Sequence, residues 1–319
     1  MKKVSPALLT EINKATGRTI EVKNVTLDEA INEFIVNGRI KSLSDHTLKT
    51  YEKELRVLVA YLTQADVDYS DIRNINVRHY EAFVAYLMDE GYANTTINLR
   101  LRTAKIFGNY CVRKNLIPRN YAAEVPALKV RKQVGATFSR SQLKRLLDSP
   151  DLSTFEGIRD MAMMRTFSDT GIRLSELSAI KIRDIVFADN ALNVQRTKNG
   201  YARRIPLTKR LSELLRLYLK VRGTEDSDGL LFVKSDDTGI SHVTIQFQIR
   251  EHGRRSGVIN EVQCSPHVFR RTFAKFKIQA GVDIFTLQAL MGHSDISELR
   301  NYVAVYSTDL DAAIEKGIE

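Results

Sequence analysis

Two basic residues that could act on a phosphate each lie two positions from a glycine in the second half of the 319-residue chain. Arg173 follows Gly171, which breaks the preceding helix pattern, so the arginine lies at the entrance of the next predicted helix. Backbone N–H groups at such an entrance favour an anion. Lys198 precedes Asn199-Gly200, a dipeptide typical of hairpin turns. An ammonium on a hairpin tip can donate a proton to a phosphodiester oxygen.

Histidine, arginine and tyrosine form a second group nearer the C-terminus. His267 and Arg270 are three positions apart on a predicted helix, so they share a face and can contact two oxygens of one phosphate. Gly292 ends a later predicted helix just before His293, and Tyr302 falls about two turns into the helix that follows. A deprotonated phenol can attack a phosphorus atom. Taken singly, each residue also has an ordinary structural role.

Together, in this order and spacing, these residues resemble the catalytic set of the tyrosine recombinase (phage integrase) family. That set is an arginine, a lysine, His-x-x-Arg, a histidine or tryptophan, and a tyrosine. The matching positions are Arg173, Lys198, His267, Arg270, His293 and Tyr302. The nine-residue step from His293 to Tyr302 matches the usual spacing of the family, and Glu176 fills its acidic position near the first arginine. The resemblance covers nearly the whole chain.

The resemblance implies an enzyme that cuts and rejoins DNA at specific sites through a 3′-phosphotyrosyl link at Tyr302. Arg173 and Arg270 would hold the non-bridging phosphate oxygens with always-protonated guanidinium groups. His267 is the candidate acceptor of the phenol proton, and Lys198 is the candidate donor to the departing 5′ oxygen. Because the covalent link keeps the bond energy, rejoining needs no ATP.

By the same resemblance, the partners are double-stranded DNA and other copies of the chain. The protein would be a monomer in solution and a homotetramer on two recombination sites, with DNA-bending or excisionase proteins as accessories. The amphipathic segment 307–319 would pack on a neighbouring protomer or fold back on its own domain. We expect no cofactor and no metal, since the six histidines show no metal-ligand spacing and arginines can replace metal ions at a phosphate.

The sequence departs from the family pattern at a few positions. Arg271 stands where many members have a second histidine, and Phe269 stands where many have leucine. A second tyrosine, Tyr306, lies one helical turn beyond Tyr302. The spacing from the preceding histidine favours Tyr302 as the nucleophile.

Composition agrees with a DNA-binding protein. The formal net charge is +10 and the sequence pI is about 9.5, an excess that favours a polyanionic partner. Cys111 and Cys264 are too few for a disulfide framework, and we expect two reduced, half-buried thiols. Neither a membrane-spanning apolar run nor a signal peptide is visible, which predicts a cytoplasmic protein without membrane contact.

The first half of the chain is predicted to be helical. Thr26 and Glu29 form a capping box, Ser44 or Asp45 caps the next helix, a third helix runs from about Val77, and a fourth starts after Asn94-Thr95-Thr96. We therefore divide the chain into an N-terminal arm (1–24), a helical core-binding, SAM-like DNA-binding domain (25–113), a linker rich in Pro, Asn and charge (114–136) and a catalytic domain (137–319).

The second half is predicted to be helical around a small sheet. Ser139 and Gln142 form a capping box, and a Met-rich helix covers 159–169. Residues 182–187, 192–195 and 202–207 have strand character, with turns at Asp189-Asn190 and Asn199-Gly200. The fold class is thus mainly α with a small antiparallel β-sheet. Base-reading side chains are expected on the helices around 94–102 and 241–254.

Several functions share this chemistry. The main hypothesis is an integrase that integrates or excises a phage or mobile element. An alternative within the family is a resolvase of chromosome or plasmid dimers. A type IB topoisomerase would relax DNA without site choice, and a DNA-binding regulator would lack a working site. The complete catalytic set argues against the regulator.

Overall fold

The computed structural model of the protein describes residues 24–130, 135–195, 202–224 and 226–292. Contacts divide the chain into two units, 1–132 and 133–319. Apart from residue 24, the predicted arm (1–24) lies outside the described residues, as does the predicted turn at Asn199-Gly200.

The first unit is a helical bundle. Its helices are α1 (Leu27–Ile40), α2 (Asp45–Gln64), α3 (Val77–Asp89), α4 (Asn94–Arg113) and the short α5 (Tyr121–Glu124), with a 3₁₀ turn at Ile72–Asn74. The capping box of α1 is confirmed, because the Thr26 hydroxyl accepts from the Glu29 N–H at 3.1 Å and the Glu29 carboxylate accepts from the Thr26 N–H at 2.9 Å. Ser44 caps α2.

Helix α4 begins earlier than the sequence predicted. Asn94 is its first residue, and the position before it is Ala93, which offers no side-chain cap. The Asn94 amide instead donates to the Lys129 carbonyl at 3.0 Å. A side chain that looks like a cap is thus used to hold a later segment of the chain.

The core of the first unit is built from aromatic and aliphatic side chains. The ring of Phe34 lies 5.3 to 5.6 Å from the rings of Tyr51, Phe107 and Tyr110, distances at which aromatic pairs attract. Part of the segment predicted as a linker also packs here, since Ile117 and the residues Ala122 and Val125 are buried in the same core. The division of the chain into functional domains stays a proposal.

The second unit combines helices with one small sheet. Its helices are α6 (Arg140–Leu147), α7 (Phe155–Thr170), α8 (Leu174–Leu177), α9 (Lys209–Arg222), α10 (His242–Arg255), α11 (Pro266–Gln279) and α12 (Ile284–Met291), with 3₁₀ turns at Ile182–Asp184 and Val258–Asn260. The strands are β1 (Ile185–Val186), β2 (Ala191–Val194) and β3 (Arg203–Pro206), paired antiparallel in the order β1-β2-β3. The predicted fold class is confirmed.

Strand β1 is shorter than predicted. Residues 182–184 form a 3₁₀ turn because the Asp184 carboxylate accepts from the Lys181 N–H at 2.9 Å and closes the backbone there. The capping box at Ser139 and Gln142 is confirmed at the start of α6.

Helix α7 lies at the centre of the second unit and packs against α9, α10 and α11. Its methionines Met163 and Met164 are buried, as a Met-rich core helix predicts. The ring of Phe269 on α11 lies 6.0 Å from that of Phe167 on α7 and 5.1 Å from that of Phe138. This aromatic contact fixes α11 on α7.

A buried polar network joins α7 to α10. The Asp160 carboxylate accepts from the Arg159 side chain at 2.8 and 2.9 Å and lies 3.0 Å from Nε2 of His252. Nδ1 of His252 is 3.1 Å from the Ser149 hydroxyl, and Arg159 also donates to the Val233 carbonyl at 3.3 Å. The Asp160 carboxylate therefore neutralises the Arg159 guanidinium, which is buried.

Asp160→Ala is expected to destabilise the second unit strongly. Removing one partner of a buried ion pair leaves an uncompensated charge, here that of Arg159, and typically costs about 3–5 kcal/mol. Urea denaturation followed by circular dichroism measures the free energy of unfolding. Asp148→Ala is the matched control, because its pair with Lys144 is solvent-exposed and worth at most about 0.5 kcal/mol. Equal stability of the two variants would contradict the prediction.

Both cysteines are fully buried rather than half-buried as predicted, since Cys111 is 0% and Cys264 is 2% exposed. Burial raises the pKa of the Cys111 thiol to about 12 and that of Cys264 to about 11. Among the described residues, the helices are too short or too polar for a membrane span.

Candidate active site

A cavity of about 460 Å³ in the second unit brings together three residues that the sequence assigned to chemistry. Arg173 reaches it from the start of α8, and His267 and Arg270 reach it from the first turns of α11. Its lining also includes Gln246, Gln263 and Arg271. Four cationic or titratable side chains, three of them arginines, therefore face one space that is open to a ligand.

The turn between α7 and α8 positions Arg173. Gly171 ends α7 in the left-handed region, with φ of 61°, and an added Cβ would meet the Phe273 ring at 2.4 Å. Glycine is the residue that adopts this conformation without a steric cost. Arg173 then takes the N-cap position of α8, and its backbone N–H donates to the Glu176 carboxylate at 2.9 Å.

At this helix entrance the chain supplies an anion of its own. The backbone N–H groups beside Arg173 were predicted to favour a bound anion. In the structure, the Glu176 carboxylate is the anion that accepts from the first of these groups, the Arg173 N–H. The Arg173 guanidinium lines the cavity and can meet a phosphate there.

Helix α11 presents its first turn to the cavity because its other face is buried. Ser265 caps the helix by accepting from the Val268 N–H, and Pro266 takes the first helical position, where it is well suited. Val268, Phe269 and Phe273 are buried. His267 and Arg270 line the cavity from this turn, together with Val268.

Arg173 and Arg270 also hold the end of α12. Arg173 Nη2 donates to the Gly292 carbonyl at 2.9 Å, and Arg270 Nη2 donates to the Met291 carbonyl at 2.8 Å. Arg270 Nη1 donates to the Gly171 carbonyl at 2.5 Å. The last carbonyls of a helix have no partner within it, so these bonds satisfy α12 and fix both guanidinium groups. Each guanidinium carries five N–H donors, so such bonds are compatible with further bonds to phosphate oxygens.

Glu176 is the acidic residue of the site and is 3% exposed. Burial alone would raise the pKa of Glu176, but hydrogen bonds from the Arg203 guanidinium and the Arg173 N–H outweigh it and hold the pKa below its ordinary value of 4.5. A lowered folded-state pKa adds stability that is present above the ordinary value and is lost as the pH falls through the lowered one. The carboxylate is therefore charged at neutral pH.

The remaining predicted site residues, Lys198, His293 and Tyr302, lie outside the described residues, as does Tyr306. Sequence reasoning missed Arg203, which pairs with Glu176 at 2.8 Å. A signal was present, because side chains alternate along a strand and Arg203 shares a face of β3 with the buried Ile205.

Comparison with known proteins matches two family models to the chain. The model described as the phage integrase family matches residues 137–308, more than half of the chain. A second model, the phage integrase N-terminal SAM-like domain, matches residues 39–115. This chain belongs to the phage integrase family. The predicted enzyme class, a tyrosine recombinase that breaks and rejoins DNA, is confirmed with it.

Proteins of similar sequence align with most of this recombinase. The tyrosine recombinase XerC of Chlamydia pneumoniae is 27% identical over 288 residues, which cover 83% of this chain and 90% of the relative. The tyrosine recombinase XerD of Shewanella oneidensis is 28% identical over 289 residues, covering 89% and 94%.

Solved structures show that the recombinase shares its fold with DNA-bound proteins. A lambda integrase dimer bound to a core site (its residues 75–356) superposes with a TM-score of 0.71 at 18% identity, covering 86% of this chain and 97% of that one. XerH in a post-cleavage complex with a palindromic DNA substrate gives a TM-score of 0.71 at 17% identity, covering 91% and 84%.

Proposed function

We propose that this recombinase cleaves and rejoins DNA at specific sites through a 3′-phosphotyrosyl intermediate formed by Tyr302. The observation that carries the proposal is the single cavity lined by Arg173, His267 and Arg270. These residues belong to the segment that matches the family model, which also includes Lys198 and Tyr302.

The two arginines supply the charge that cleavage needs. Attack on a phosphodiester places negative charge on the non-bridging oxygens, so catalysis depends mainly on position and electrostatics. Arg173 is fixed by Glu176 and by the Gly292 carbonyl, and Arg270 is fixed by two further carbonyls. Guanidinium groups that are already held in place lose little freedom when a phosphate binds.

Proton transfer completes the reaction. His267 accepts the proton of the Tyr302 phenol, and the phenolate displaces the 5′ oxygen from phosphorus while the DNA 3′ phosphate stays on the tyrosine. Lys198 donates a proton to the 5′ oxygen, and His293 adds a hydrogen bond to the phosphate. Attack by a 5′ hydroxyl from another strand reverses these steps and rejoins the DNA.

Helix α10 is the candidate for base contacts beside the cavity. Gln246 lines the cavity, and the same helix exposes Val243 (75%) and Phe247 (52%). Glutamine can bond the edge of adenine, and apolar side chains can contact the methyl group of thymine. The exposed Arg250 lies on the same side and suits a phosphate or a guanine.

The assembly that we propose is a homotetramer on two DNA sites, formed from monomers and assisted by DNA-bending or excisionase proteins. A lambda integrase tetramer bound to a Holliday junction has the same fold, with a TM-score of 0.70. We also propose a cytoplasmic location for this recombinase, because its proposed substrate is intracellular DNA.

Two recombination events are candidates. Resolution of chromosome or plasmid dimers is favoured by the XerC and XerD relatives, which align over 83% and 89% of the chain. Integration or excision of a phage or mobile element has the support of the family description and of fold likeness to the lambda and Tn1549 transposon integrases.

Covalent trapping in the host cell tests the function. Cells that express tagged protein are lysed in SDS, the tagged protein is purified under denaturing conditions, and the attached DNA is sequenced. One recurring site is expected, with the DNA 3′ phosphate on the peptide 301–316 that trypsin releases, and with fragmentation placing it on Tyr302. A chromosomal site unlinked to the gene supports dimer resolution, whereas the ends of the element that carries the gene support integration.

Two results would overturn the proposal. Attached DNA without any common sequence, together with relaxation of plasmids that lack the site, would indicate a topoisomerase. No attached DNA from a folded, DNA-binding protein would indicate a regulator without catalysis.

A further inference from the structure

Arg203 on β3 is buried beside the site although the sequence assigned it no chemistry. Its side chain is 10% exposed. Nη1 and Nη2 each donate to a different oxygen of the Glu176 carboxylate, both at 2.8 Å, and Nε donates to the Leu290 carbonyl at 3.1 Å. All three nitrogens of the guanidinium are therefore engaged, two of them in the paired geometry that Arg forms best with a carboxylate.

Glu176 connects Arg203 to Arg173. The Oε1 atom that accepts from Arg203 also accepts from Nη1 of Arg173 at 3.1 Å, and Oε2 accepts from the Arg173 backbone N–H at 2.9 Å. The Glu176 carboxylate thus fixes the position of both the backbone and the side chain of Arg173. Because Arg203 holds both oxygens of that carboxylate, the orientation of Arg173 depends on Arg203.

Arg203 also reaches the end of α12, where Arg173 and Arg270 bind. Successive carbonyls are each bound by a different arginine: Leu290 by Arg203, Met291 by Arg270 and Gly292 by Arg173. Gly292 leaves the room for this packing, since an added Cβ would lie 2.7 Å from Nη1 of Arg203. Cations are also favoured beside the negative end of a helix.

We propose that Arg203 is a positioning residue for DNA cleavage. It fixes Glu176 and the C-terminal end of α12, and through them it orients the Arg173 guanidinium toward the scissile phosphate. The inference rests on the proposed function. Arg203 is not among the described residues that line the cavity. It therefore acts on the reaction through Glu176 and α12 rather than by touching DNA.

The strand supplies a matched control one residue away. Arg204 points to the other side of β3, its side chain is 54% exposed, and its nearest carboxylate is that of Asp189 at 3.8 Å. Arg203→Gln and Arg204→Gln therefore remove the same charge from the same strand, but only the first removes the contacts to Glu176 and Leu290.

The experiment compares cleavage with binding. DNA carrying the trapped site, with a nick that prevents rejoining, gives the single-turnover rate of adduct formation, and fluorescence anisotropy gives the Kd. Both are measured well below the Tm of each variant. Arg203→Gln is expected to slow cleavage about 100-fold, the usual effect of a small misplacement of a reacting group, while its Kd changes less than about threefold. Arg204→Gln is expected to stay within about twofold in both.

A double-mutant cycle tests the route of the effect. If Arg203 acts mainly through Glu176, adding Arg203→Gln to Glu176→Gln slows cleavage by less than about fivefold more, because the carboxylate to be positioned is already gone. Should Arg203→Gln fail to fold, Arg203→Lys decides the matter. Lysine keeps the charge but has no planar fork, so cleavage about tenfold slower at unchanged Kd is expected.

Distinct results overturn the inference. Positioning by Arg203 is excluded if Arg203→Gln, or Arg203→Lys where Arg203→Gln does not fold, cleaves at the wild-type rate. It is also excluded if binding and cleavage are lost in equal proportion. Full additivity with Glu176→Gln excludes the route through the carboxylate. Absence of an adduct with wild type and Arg204→Gln counts against the proposed function instead.

Discussion

Tyr302→Phe is expected to abolish the covalent protein–DNA adduct, whereas Tyr306→Phe is expected to form it at the wild-type rate. Phenylalanine keeps the ring but has no oxygen to attack phosphorus, and loss of a nucleophile typically slows the reaction at least about 10⁴-fold. The arginine cluster remains in Tyr302→Phe, so the Kd for site-bearing DNA stays within about twofold of wild type.

Gel electrophoresis in SDS of each variant with nicked DNA measures the adduct. Tyr306→Phe is the matched control, since the two tyrosines are four positions apart and the change removes the same atom. An adduct with Tyr302→Phe that disappears in Tyr306→Phe would assign the nucleophile to Tyr306. Adducts with both single variants and none with the double variant would show that either phenol can react.

Local signals in the sequence were sufficient for most of the helices and for the three described site residues. The capping box at Thr26 and Glu29 involves residues three positions apart, so the sequence displays it completely. His267 and Arg270 share a helix face for the same reason. Their meeting with Arg173, about a hundred residues earlier in the chain, was predicted only because the order of residues resembles a family.

Contacts between distant segments were missed. Arg203 pairs with Glu176, 27 residues away, and with Leu290, 87 residues away. Alternation along β3 places Arg203 on the face of the buried Ile205, but it does not show which distant residues that face contacts. An anion beside Arg173 was predicted, but its source was not: the Glu176 carboxylate of the same chain accepts from the Arg173 N–H.

Arg270→Gln is expected to slow DNA cleavage by about 10²- to 10³-fold, the usual effect of removing one preorganised donor from a developing oxyanion. The side chain is 7% exposed and also binds the carbonyls of Gly171 and Met291, so a loss of stability of about 1–3 kcal/mol accompanies the change. Lys277→Gln, which removes the same charge later on α11, is expected to cleave within about twofold of wild type.

A change in the DNA separates the action of Arg270 on phosphate from its action on the fold. An uncharged methylphosphonate at the scissile position removes a negative oxygen that the guanidinium would bind, so the electrostatic part of its contribution is lost for wild type as well. Arg270→Gln should then cleave this DNA less than about tenfold more slowly than wild type does. If the variant instead shows the same 10²- to 10³-fold defect on both substrates, Arg270 acts through Gly171 and Met291 alone, and the cavity would need another cation to hold the phosphate.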